Sequence, residues 1–65
     1  MFKLASRPKI DEAVHRLQRH LDREGIPASV GSRFHAGEHS LVVGTAEPDR
    51  VPARFEGYPV WVRMY

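Results

Sequence analysis

The run Tyr58-Pro59-Val60-Trp61-Val62-Arg63-Met64-Tyr65 constrains this chain more than any other. Its β-branched and aromatic residues fit a pleated strand, and its side chains divide cleanly by period two. Tyr58, Val60, Val62 and Met64 share one face, and Pro59, Trp61, Arg63 and Tyr65 share the other. Register in such a strand is all or nothing, because a slip by one residue exchanges the faces wholesale. One set must therefore be buried against a second layer, leaving the Trp61 set to be accounted for separately. Leu41-Val42-Val43-Gly44-Thr45 is the other clear strand run.

The second layer is a helix. Ile10, Val14, Leu17 and Leu21 recur at i, i+4, i+7 and i+11, with Ala13 on the flank of the same stripe. The pattern predicts a helix over residues 8–24, with Ser6 as the cap and Pro8 in the first turn, where a missing N–H is no loss. Asp11 and Glu12 lie near the positive end of its dipole. Gly25 can take the left-handed conformation that stops a helix, Ile26 can fold back on Leu21, and Pro27 prevents continuation.

Residues 28–35 read as a strand with Val30 and Phe34 inward, forming a hairpin with the Leu41 run. Pairing Phe34 with Leu41 puts all the apolar side chains on one face and leaves a loop at residues 36–39. Residues 46–57 carry Pro48 and Pro52, which exclude a central strand, while Val51 and Phe55 can tuck against the core. Pro59 favours an edge position for the last strand, and the connector permits a meander or a crossover to the far side of the first strand, of which the meander is the expectation. Phe2 and Leu4 alternate with Lys3 and Ala5, which suits either a short edge strand or two apolar side chains laid on the core, and the second is the expectation. The expected architecture is a single α+β domain: one helix packed on a three-stranded antiparallel sheet in the order α-β-β-β, two layers with one sheet face open. The open face would carry Ser29, Gly31, Arg33 and His35, then Ser40, Val42 and Gly44, then Trp61, Arg63 and Tyr65.

Size bears on function here. A chain of 65 residues buries only about 60% of the surface its unfolded form exposes. It has no cysteine to staple it, so association with a partner or a second copy is expected. Residues 1–9 hold no apolar run long enough for a signal peptide, and no later segment has the length and hydropathy of a membrane span, so a cytoplasmic location is expected. The formal net charge of +2 is well short of a dedicated nucleic-acid binder.

No constellation points to catalysis. With Phe34 paired to Leu41, His35 points outward opposite Ser40 while His39 sits in the loop, and His15 and His20 are about 140° apart around the helix, so no metal site is expected. There is no cysteine, no serine in a strand-to-helix elbow, and no glycine-rich loop opening onto a helix, so neither an enzyme nor a cofactor is expected. Lys9, Arg16, Arg19 and Arg23 form a basic flank interrupted by Glu12, whose bland reading is a solvated face with a Glu12–Arg16 pair. Its functional reading is a phosphate track, with Arg16, Arg19 and Arg23 as the nucleic-acid-binding residues.

The open sheet face is the stronger candidate. Arg33, Val42, Trp61, Arg63 and Tyr65 are the types enriched where proteins meet, and the same aromatics can stack bases. The expectation is a non-enzymatic interaction module that binds a protein partner or itself through this face, with nucleic-acid binding as the alternative. Residues 51–62, Val-Pro-Ala-Arg-Phe-Glu-Gly-Tyr-Pro-Val-Trp-Val, resemble a Val-Pro then Gly-x-Pro-Val-x-Val phrase of short α/β segments in various bacterial proteins. The resemblance implies the start of a strand and no chemistry.

Overall fold

The computed structural model describes residues 8–64. Helix α1 (Ile10–Arg23) precedes strands β1 (Ala28–His35) and β2 (Glu38–Thr45), a 3-10 turn at Pro48–Arg50, and strands β3 (Arg54–Phe55) and β4 (Tyr58–Met64). The class is α+β, as expected. The sheet differs from expectation: it has four strands in the order β1-β2-β4-β3 and is mixed. β1 runs antiparallel to β2, β4 runs parallel to β2, and β3 runs antiparallel to β4. The meander is therefore replaced by a crossover.

Helix α1 buries Ala13, Leu17 and Leu21 and rests Ile10 and Val14 on the same core. It starts two residues later than the pattern suggests: Lys9 is the N-cap and makes no side-chain cap, so Pro8 lies just ahead of the first turn. The stop forms as expected. Gly25 has φ +75, its N–H donates to the Asp22 carbonyl, and the Ile26 N–H donates to the Leu21 carbonyl at 2.9 Å. This is the double bond pattern of a Schellman stop, sealed by burial of Ile26.

The β1–β2 hairpin turns on two residues, Ala36 (φ +54) and Gly37 (φ +78), both in the left-handed region that a two-residue type I′ turn needs. Phe34 consequently lies opposite His39, Ser32 opposite Leu41, and Val30 opposite Val43. The tight turn wins over the longer loop because its twist matches that of the strands. The shift of two positions preserves which residues share a face. Val30 packs on the core. Phe34 shares its face, but the hairpin outruns the helix, so the residue is 64% exposed and its ring packs against His39 in a tilted pair with centroids 4.7 Å apart.

Glu56 (φ +52) and Gly57 (φ +88) make a second turn of the same kind, pairing Phe55 with Tyr58 and Arg54 with Pro59. That hairpin puts β4 inside the sheet rather than at its edge. Pro59 is tolerated there for a geometric reason. The Val60 N–H donates outward to the Ala53 carbonyl at 3.0 Å, so the neighbouring Pro59 nitrogen is aimed at β2. The β2–β4 ladder begins only at Leu41 opposite Val60, and no ladder bond is lost.

The core joins Ala13, Leu17 and Leu21 to Ile26, Leu41, Val43 and Tyr58, with Val51 and Phe55 packed against it as expected. Thr45 is fully buried. Its hydroxyl donates to the Pro27 carbonyl at 2.8 Å and accepts from the Glu47 N–H at 3.0 Å. The Tyr58 hydroxyl donates to the Pro8 carbonyl at 2.7 Å. The expected Ser6 cap and the placement of Phe2 and Leu4 lie outside the described residues.

Candidate interaction face

The sheet face opposite α1 is built in rows across three strands. Gly31, Val42 and Trp61 form one row, and Ser29, Gly44 and Arg63 the next. Arg33 lies opposite Ser40, and Arg54 on β3 lies opposite Pro59. No described element covers these side chains. Trp61 is 61% exposed, a large exposure for an indole held in an internal strand.

Trp61 stands between two shallow depressions. The larger, about 1040 Å³, runs past Gly31, Val42, Gly44 and Arg63. The smaller, about 550 Å³, is bordered by His35, Ser40, Arg54 and Pro59. Arg33 borders both. Gly31 keeps the floor low: a Cβ placed there would meet nothing within 4 Å. Among the described residues that line these depressions the charge is one-sided, because Arg33, Arg54 and Arg63 are met by a single acid, Glu38, the residue opposite His35. Such a face offers planar apolar contact ringed by guanidinium groups, and it has no nucleophile or acid–base pair at its centre.

The structure thus brings together Arg33, Val42, Trp61 and Arg63, four of the residues expected to bind a partner. Val42 is half-buried between Gly31 and Trp61. Tyr65 lies outside the described residues. Arg54 belongs to the face and was missed, because β3 was missed. Its one trace in the sequence is Gly57 between two aromatics in Phe55-Glu56-Gly57-Tyr58, weaker than the Asn-Gly or Asp-Gly pair that marks such a turn.

On the far side of the molecule, Arg16, Arg19, His20 and Arg23 line a depression of about 360 Å³ closed by Phe55. His20 lies 6.1 Å from Phe55, ring to ring. Arg16 reaches Glu56 at 3.4 Å rather than the Glu12 its spacing suggested, so the stripe is partly neutralised from β3's turn. His35 lies opposite Glu38 instead of Ser40, and His39 is in β2 on the other face. Among the described residues no group of three or more His, Cys, Asp or Glu side chains could hold a metal ion. No helix among them is long and apolar enough to cross a membrane.

Fold and face together define a small two-layer α+β domain with one arginine-rimmed sheet face that no described element covers. Comparison with protein-family profiles, with curated proteins and with solved structures finds no match.

Proposed function

We propose that this chain is a non-enzymatic interaction module whose open sheet face, centred on Trp61, receives a protein partner or a second copy of the chain. The observation that carries the reading is the exposed Trp61 indole in the middle of a sheet that nothing described covers. Buried tryptophan and arginine side chains dominate binding energies where proteins meet, and a large aromatic held on a rigid strand loses little entropy on docking. Light scattering over a concentration series, read beside Trp61 fluorescence, tests it. A blue shift of the indole on association, or on adding a partner, is expected. A strict monomer whose indole already emits as a buried one contradicts it.

A second reading is favoured by one observation, the clustering of Arg16, Arg19, Arg23 and His20 around a single depression. That stripe would contact phosphates, and binding to oligonucleotides would then fall steeply with salt as counterions are released. Absence of binding to single- and double-stranded oligonucleotides at low salt removes this reading.

A further inference from the structure

Among the described residues β1 is an edge strand, paired on one side only, and a described side chain blocks just half of that edge. The block is Gln18. Its side-chain amide donates to the Ala28 carbonyl at 3.1 Å, and its side-chain oxygen accepts from the Val30 N–H at 3.2 Å. One carboxamide thus offers β1 the donor and acceptor that a neighbouring strand would offer. The bond also fixes the parity of the edge. Since the Val30 N–H points away from β2, so do the backbone groups of Ser32 and Phe34, which share its alternation. Past Gln18 no described residue pairs with the edge, and Ser32, Arg33 and Phe34 are all exposed. Unpaired edges of this kind are templates for another strand.

The charge on the edge selects the occupant. In the antiparallel pairing that a symmetric dimer requires, a second copy could use both outward-facing residues, without displacing Gln18, only by setting Ser32 opposite Phe34 and Phe34 opposite Ser32. That register places Arg33 directly opposite its own copy, and like charges in directly opposed positions are destabilising. Centring the pair on Ser32 would instead demand the Val30 N–H that Gln18 holds. An extended segment with a carboxylate opposite Arg33 meets neither obstacle. On the other face its alternate side chains would lie along Phe34 and His39, whose rings already pack against each other, so those side chains should be apolar.

We infer that the Ser32–Phe34 edge of β1 binds an extended peptide segment of alternating acidic and apolar residues, added to the sheet as a fifth strand. This rests on the reading of the chain as a protein-interaction module and names the chemistry of its partner. Main-chain bonds supply the affinity and the Arg33 contact supplies the selection.

The test is an amide NMR titration of the full chain with a short blocked peptide alternating valine and glutamate, its valine–lysine counterpart, and oligothymidylate. With the glutamate peptide, the Ser32 and Phe34 amides are expected to shift and to exchange with solvent about tenfold more slowly or less, while Val30, already bonded, changes little. The lysine peptide should bind about tenfold more weakly or worse, and Arg33→Glu, an exposed substitution, should reverse that order. Equal binding of the two peptides, or edge shifts produced by oligothymidylate, overturns the inference. Edge protection that grows with protein concentration alone also overturns it, in favour of self-pairing. Shifts confined to Trp61 and Arg63 overturn the edge site while leaving the module reading in place, and no response at either location to peptide or to concentration counts against both.

Discussion

Thr45 shows how much one buried hydroxyl can carry. It ties the chain after the helix, through the Pro27 carbonyl, to the start of the crossover, through the Glu47 N–H. Thr45→Val keeps the shape and removes both bonds, leaving two backbone groups in need of partners. The expected loss is about 1–3 kcal/mol in urea unfolding, several times that of a threonine on the surface. Ala36 gives the opposite case. Its φ of +54 is one that alanine adopts at a cost of about 1–2 kcal/mol and that asparagine tolerates better. Ala36→Asn, the favoured companion of a following glycine in a type I′ turn, is expected to raise the urea midpoint. An unchanged or lowered midpoint would mean that the turn is not of this type in solution.

At the scale of elements, α1 was the most legible part of the chain because its signals are local. The apolar stripe sets its buried face, and Gly25, Ile26 and Pro27 set its end, with every group needed for the stop within a few residues. The division of each strand into two faces was legible for the same reason, since period two needs no knowledge of neighbours. Strand pairing was not legible. The two-residue turns at Ala36-Gly37 and Glu56-Gly57 lack the Asn-Gly or Asp-Gly pairs that announce such hairpins, so a longer loop and a plain connector stood in for them. Missing the second turn concealed β3, and without β3 Pro59 indicated an edge. The open face survived these errors because every shift preserved parity. Arg33, Val42, Trp61 and Arg63 stayed together, and only Arg54 was lost.

Gln18 belongs to the same scale, because it joins a helix to a strand edge. Gln18→Ala frees the Ala28 carbonyl and the Val30 N–H, and the expected consequence is faster amide exchange at Val30 with little change at Gly31, whose N–H faces β2. A stability loss of about 1 kcal/mol should accompany it. Unchanged exchange at Val30 would show that the carboxamide does not cap the edge in solution.

For the molecule as a whole, the division of labour is between two layers. One sheet face and α1 make a core small enough that the domain has little stability to spare, and no described element covers the other face. The same parity that sends Val60 and Val62 toward the helix side sends Trp61 to the opposite side. Leu17 is wholly buried at the centre of the helix stripe, so Leu17→Ala is expected to cost about 2–5 kcal/mol, enough to unfold much of the protein. Trp61→Ala removes a side chain that is mostly in solvent and should cost the monomer less than about 1 kcal/mol. The urea midpoint of Trp61→Ala beside that of Leu17→Ala, both at dilution where the protein is monomeric, is the most direct measurement of whether that face is free. A near-native midpoint for the tryptophan variant and a collapsed one for the leucine variant is the predicted result. Equal losses would place Trp61 in the core and contradict the open face.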